Sequence, residues 1–209
     1  MTEAQLAYQR RVLVLFAHPS LERSEINAEM LRISRATAGV TVVDLYADYP
    51  DYRIDIDREQ QRLLDHDVVV FMFPLYWYST PPILKEWQDL VLEYGFAYGH
   101  EGHALHGKTF LCALSAGGAA DAYRAEGYNH FTLRELLRPL EQTAILCGMH
   151  YLAPFALFGA RTAVEEGRVP HHLSEWRQLL EGLRDDRVDL DAGAQLGRLN
   201  EDLAKVLAA

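Results

Sequence analysis

The stretch VLVLFAHPSLERSEIN, residues 12–27, carries six apolar residues straight into His18 and Pro19, then into a helical pattern. An apolar run with no polar face is the pattern of a strand covered on both sides, as in a parallel sheet. The turn after such a strand ordinarily uses Gly, Asn or Asp, and the phosphate loops of many α/β proteins are glycine-rich. Neither is present here, so a different ligand or a different packing must occupy this turn.

Working outward, similar runs recur at VTVVDL (40–45), DVVVFMF (67–73), KTFLCALS (108–115) and HYLAPFALFG (150–159). Helical periodicity falls between them at about 25–38, 57–65, 82–93 and 131–147, with two further helices near 171–184 and 194–207. Strictly alternating strand and helix predicts an α/β three-layer sandwich with a parallel sheet. Five strands favour the flavodoxin-like order 2-1-3-4-5, whose ligands sit beyond the strand ends where the order reverses, between strands one and three. One domain is expected over 1–209, with a core at about 11–160 and a C-terminal helical extension at about 170–207 that reads as packing or a lid.

At 49% hydrophobic residues the 209-residue chain can bury one core, and its net charge of −10 without a basic cluster argues against nucleic acid and anionic bilayers. An anionic ligand must therefore be held locally. The first eleven residues, MTEAQLAYQRR, lack the apolar centre of a signal peptide, and no later run is long enough to span a bilayer. A cytoplasmic location is expected. Cys112 and Cys147 lie in apolar stretches without CxxC spacing, which predicts buried, reduced thiols.

Three strand-end loops carry the candidate chemistry. In the first, a helix starting near Ser24 would present the N–H groups of Ser24, Glu25, Ile26 and Asn27, with His18 and Arg23 close in sequence. By itself this loop is equally a capped helix or an anion site. The second, PLYWYSTPP (74–82), holds Leu75, Tyr76, Trp77 and Tyr78, unusually apolar for a loop and suited to a planar heterocycle. The competing reading folds these aromatics back onto the core, and for at least one of the three it is the preferred one. The third, SAGGAADAYRAEGYNHFT (115–132), brings Ser115, Ala116, Gly117 and Gly118, where backbone can approach a ligand edge, followed by Tyr123, Asn129 and His130. Convergence of the three outweighs any one. His100, His103 and His106 are spaced like ligands, but Gly99, Gly102 and Gly107 oppose a helix there, and no metal is expected. GxSxG, GxxxxGK[ST] and HExxH are absent.

Taken together, AHPSLERSEIN, FPLYWYSTPPILKEWQDLVLEYGFAYG, ALHGKTFLCALSAGG and LRPLEQTAILCGMHYLAPF resemble the flavodoxin-like NAD(P)H:quinone oxidoreductases. DLYADYPDYRIDIDREQ narrows the likeness to the ancillary oxidoreductases of Kef-type potassium efflux systems. The similarity runs from about residue 12 to about 160. It implies FMN as cofactor, with FAD the alternative, and NAD(P)H as co-substrate. His18 and Ser24 to Asn27 match the phosphate and ribityl site, while Leu75 to Tyr78 and Ser115 to Gly118 match the segments along the isoalloxazine edge. Tyr123 and His130 match the family's catalytic tyrosine and histidine. The spacing after Gly127 is one residue longer than in mammalian-type members, leaving Asn129 or His130 at the histidine's place, and Ser115-Ala116 replaces a Thr-Thr. GFAYG, 95–99, resembles the segment that covers a partner subunit's flavin, which implies a homodimer.

The leading expectation is an FMN-dependent NAD(P)H:quinone oxidoreductase working by two-electron hydride transfer. The alternative is an FMN-binding regulatory subunit of a glutathione-regulated potassium efflux antiporter, with secondary reductase activity and peripheral membrane association through that partner. The acidic segment DYPDYRIDIDRE, 48–59, is its candidate docking surface, unless it is a solvated loop. A one-electron flavodoxin-type carrier is a third, weaker reading.

Overall fold

The computed structural model describes residues 9–207; the polar start discussed above lies outside them up to residue 8. Strands β1 (Val12–Phe16), β2 (Val40–Asp44), β3 (Val68–Pro74), β4 (Thr109–Ser115), β5 (His150–Tyr151) and β6 (Phe155–Leu157) form one sheet of order β2-β1-β3-β4-β5, with β6 also on β4. Every pairing is parallel. This is the expected flavodoxin-like sandwich, with one difference at the edge. The single fifth strand is delivered as two short pieces, because Pro154 has no N–H to give the ladder and the Ala153 N–H turns away to the Gly193 carbonyl at 3.1 Å.

Side-chain alternation divides the central strands between two cores. Leu13, Leu15, Val69, Phe71, Phe73, Phe110, Cys112 and Leu114 face one side, with Leu63, Trp87 and Leu140. Val12, Val14, Phe16, Val68, Val70, Met72, Leu111 and Ala113 face the other, with Met30, Trp176 and Leu183. Both faces of each strand are thus buried, which is why β1 reads as continuously apolar. The covering helices are α1 (Glu25–Ala36), a short α2 (Leu45–Asp48), α3 (Ile56–Asp65), α4 (Pro82–Val91), α5 (Leu133–Leu136), α6 (Arg138–Leu146) and α7 (Val169–Arg184). The segment expected as one helix over 131–147 breaks before Arg138, since Pro139 cannot donate to the preceding turn and its ring obstructs the carbonyl four residues back.

The C-terminal part also departs from expectation. Trp176, Leu179, Leu180 and Leu183 of α7 are fully buried against the sheet, so α7 is a core helix rather than an extension. Beyond it, the helix expected over 194–207 resolves into α8 (Leu190–Gln195), a 3₁₀ turn (Leu199–Glu201) and α9 (Leu203–Val206), interrupted around Gly197. This irregular segment covers the sheet edge. The Leu199 N–H donates to the Pro154 carbonyl at 2.9 Å. Asn200 accepts from the Ala156 N–H at 3.1 Å and donates to its carbonyl at 3.0 Å, standing in for a neighbouring strand.

On the opposite face, Glu59 of α3 is fully buried. It accepts from Tyr49 Oη at 2.6 Å, Trp87 Nε1 at 3.0 Å and Arg62 at 2.5 Å, tying the loop after β2 to α4. Removing the shared acceptor strands buried donors, so Glu59→Ala should lower unfolding free energy by about 3–5 kcal/mol in urea titration. A loss under about 1 kcal/mol would show that the network is solvated instead.

Candidate functional site

The sheet order reverses between β1 and β3, so the chain leaving their carboxyl ends diverges and opens a crevice there. β1 stays paired one residue longer, with the Ala17 N–H on the Met72 carbonyl at 3.0 Å. His18 then lies in the crevice, 6% exposed, stacked on Phe16 and edge-on to Tyr76. The Ser20 N–H donates to His18 Nδ1 at 3.1 Å, so the neutral ring carries its proton on Nε2. Burial holds its pKa below the ordinary histidine value, against the opposing pull of Glu22 and Asp44. The ring is therefore a neutral donor at pH 7.

After a 3₁₀ turn, Leu21–Arg23, Ser24 caps α1. Of the four N–H groups expected to be free, two are already used: Ser24 N–H donates to the Leu21 carbonyl at 2.9 Å and Asn27 N–H to Ser24 Oγ at 3.1 Å. The turn and the cap, which the helix periodicity does not reveal, account for both. Glu25 and Ile26 retain first-turn N–H groups without an intrahelical acceptor. The Asn27 side chain is 2% exposed and donates to Ser24 Oγ at 3.0 Å and Ser115 Oγ at 2.8 Å. Its Oδ1 is buried without a partner. Arg23 is exposed on the turn.

The second loop is a tight turn. Tyr76 and Ser79 exchange backbone hydrogen bonds of 3.2 and 3.0 Å around Trp77 and Tyr78, whose φ angles are 47° and 64°. Two positive-φ residues in sequence are the pattern of a type I′ turn, normally filled by Asn-Gly. Aromatic residues there are strained. Leu75 is buried, but Tyr76, Trp77 and Tyr78 are 45%, 92% and 43% exposed, so the alternative of aromatics folded back on the core is not what the chain does.

The third loop is anchored at Ser115, whose carbonyl accepts from the Leu75 N–H at 2.8 Å. Ala116 N–H donates to the Leu157 carbonyl at 2.8 Å, and Gly159 N–H to the Gly118 carbonyl at 2.7 Å. A Cβ on Gly118 would lie 3.2 Å from the Tyr123 ring, so a larger residue here would push the ring by a few tenths of an ångström. Tyr123 is 9% exposed against Phe158, and burial raises its hydroxyl pKa. Tyr78 Oη donates to Asn129 Oδ1 at 3.1 Å, joining the second and third loops. His130 is exposed, with φ 61°. The structure thus assembles all three loops, with Asn129 inside the contact network and His130 at its rim. Two neighbours escape the sequence reading: Asp44, at the end of β2, adds charge near His18, and Arg161 lies beside Gly117.

Elsewhere, His103 Nδ1 and His106 Nε2 lie 3.4 Å apart on an exposed turn, and no group of three metal-ligating side chains occurs among the described residues. Cys112 and Cys147 are buried, unpaired thiols. No helix among the described residues is long and apolar enough to cross a membrane.

Positive φ costs an L-residue about 1–2 kcal/mol, and Trp77 is almost wholly exposed. Trp77→Gly should accordingly stabilise the protein by about 1 kcal/mol in urea titration. An unchanged or lowered midpoint would mean the turn is unstrained.

The family model for the flavodoxin-like fold matches residues 10–180. The glutathione-regulated potassium-efflux system ancillary protein KefG of Cronobacter sakazakii is 48% identical over 151 residues, 72% of this chain and 82% of that protein. Among solved structures, general stress protein 14 of Treponema denticola in complex with FMN is 37% identical, with a TM-score of 0.77 over 83% of this chain and 99% of that one. An NADPH-quinone reductase from P. pentosaceus is 32% identical, with a TM-score of 0.73 over 81% and 96%. The chain belongs to the flavodoxin-like fold family, as a relative of the Kef ancillary proteins and of the quinone reductases within it.

Proposed function

We propose that the chain is an FMN-dependent NAD(P)H:quinone oxidoreductase. The observation that carries this is the Asn27–Ser115 junction, where a helix N-terminus, an aromatic turn and a Gly-Gly segment meet at one crevice. The donor set fits FMN. The phosphate would take the Glu25 and Ile26 N–H groups and His18 Nε2–H, all neutral donors at the positive end of α1. The orphaned Asn27 Oδ1 would accept from a ribityl hydroxyl. Leu75 to Tyr78 would cover the ring system on one side, and the N–H groups of Ala116 to Gly118 that are not used in the sheet would meet its polar edge. Solved relatives support this reading, one as an FMN complex and one as an NADPH-quinone reductase.

When bound, FMN supplies two-electron hydride chemistry between NAD(P)H and a quinone. The chain's own residues shape that exchange. Tyr76, Trp77 and Tyr78 offer aromatic surface for a flat substrate and exclude water. Tyr123, with its proton held on the hydroxyl by burial, would donate a hydrogen bond to a developing oxyanion of the quinone, and Asn129 or the exposed His130 would take the place of the family's histidine. A homodimer, with the 95–99 segment at the interface, is part of the proposal; Tyr94, next to it, is 69% exposed.

Relatives that are Kef ancillary proteins favour a second reading, in which the same flavoprotein acts mainly as a regulatory subunit docked on a potassium efflux antiporter, at the inner face of the cell membrane. Co-purification with such an antiporter would select it.

Purified chain reconstituted with FMN should turn yellow and oxidise NAD(P)H only when quinone is present. His18→Ala and Asn27→Ala should each weaken FMN binding about 10-fold or more, as loss of a charge-assisted or buried hydrogen bond implies. Tyr123→Phe should lower kcat with quinone while leaving FMN affinity intact. Failure to bind FMN sinks both readings, and FMN binding without quinone-dependent turnover leaves only the regulatory one.

A further inference from the structure

A second cleft of about 630 Å³ lies between the N-terminus of α7, the end of β6 and the 3₁₀ turn of the C-terminal segment. None of its lining residues belongs to the three loops' proposed FMN contacts, although Ala119 borders Gly118. Two of its walls, Arg198 and Asn200, fall beyond residue 180, where the family match ends.

His172, in the first turn of α7, lines this cleft. The ring is 2% exposed, stacked 4.6 Å from Phe155, and neither ring nitrogen has a hydrogen-bond partner. Burial, with Arg198, His171 and Arg168 nearby, pushes its pKa down to about 3, so the ring is neutral. A buried imidazole left without partners is costly, and an apolar side chain of similar shape would pack against Phe155 as well without that cost. A polar ligand removes the penalty.

The surrounding charges select its sign. Glu166 is paired with Arg168 at 2.6 Å, and Arg168 also donates to the Phe158 carbonyl at 2.8 Å. Glu175 lies 3.4 Å from His171 and is hydrogen-bonded by Asn200. Both carboxylates are thus engaged. Arg198 makes no close ion pair among the described residues: its guanidinium lies over the Phe158 ring at 5.5 Å and feels Glu175 only at longer range. The opening turn of the 16-residue α7 adds the positive end of a helix dipole. We infer that this cleft is a binding site for an oxyanion group, phosphoryl or carboxylate, of a small metabolite, gripped by Arg198, the α7 N-terminus and His172.

The test is titration of the FMN-loaded protein, labelled in its histidine rings for NMR, with inorganic phosphate in one arm and acetate in the other, each against sodium chloride at equal ionic strength. A saturable shift of the His172 ring resonances in either arm is expected, and the arm that saturates identifies the oxyanion. Arg198→Gln should weaken that affinity at least 10-fold with the flavin spectrum unchanged. His172→Phe, which keeps the stack on Phe155, should weaken it in calorimetry even if Arg198→Gln folds poorly. No saturable shift, the same shift with chloride, or wild-type affinity in a folded variant would overturn the inference. Because the readout is anion binding, its failure leaves the flavin proposal standing.

Discussion

Asn27 and Ser115 form the hydrogen bond on which the crevice depends. One residue sits in the first turn of α1 and the other ends β4, and the buried 2.8 Å bond fixes the distance between the two carboxyl-end loops they belong to. Ser115 then sets the second loop as well, through its carbonyl to Leu75. The geometry follows from the register: Phe16 pairs with Met72 and Pro74 with Ser115, so β3 and β4 run two residues beyond the last paired residue of β1. The shorter strand leaves a recess at His18, floored by its neighbours. Strand length, set by where the apolar runs stop, therefore positions the chemistry.

The other end of the sheet shows the same logic applied to stability. A split edge strand exposes unpaired backbone groups, and exposed edges recruit other chains. Here the C-terminal segment supplies partners one at a time: Gly193, Leu199 and Asn200 each meet a backbone group between Ala153 and Ala156. Such covering needs irregular chain, because a continuous helix has no free backbone groups to give to an edge. The interruption around Gly197 is thus tied to the split of the fifth strand. The same irregular path leaves the cleft beside His172.

How much of this was legible in the sequence depends on the range of the forces involved. The doubly wound sheet and its order follow from apolar runs and their spacing, which record burial directly. The three loops were legible as a set, because topology places their ends together whatever their detailed shape. Capping was legible in Ser24, yet its consequence was not, since the cap and the 3₁₀ turn consume two of the N–H groups that the helix start promised. Pro139 was visible as a residue but outweighed by the apolar periodicity around it. The Tyr78–Asn129 hydrogen bond and the charge of Asp44 felt by His18 join residues from separate segments, and no local pattern encodes them. The Trp77-Tyr78 pair at positive φ is the opposite case, a local conformation that its residue types argue against.

A chain of net charge −10 must hold any anion locally. Beyond a Debye length of about 8 Å at physiological salt, the overall charge is screened, so only groups lining the crevice matter. In the proposed reading the groups that hold the phosphate are themselves neutral, backbone N–H groups of α1 and an imidazole kept uncharged by burial, with Asp44 and Arg161 as the charged neighbours. Neutral donors lose little hydration on burial compared with Lys or Arg, so they can be fixed in place before a ligand arrives. Fixing them has a cost, as the buried, unpartnered Asn27 Oδ1 indicates. In the proposed reading, a bound cofactor would satisfy that buried oxygen and turn its cost into affinity.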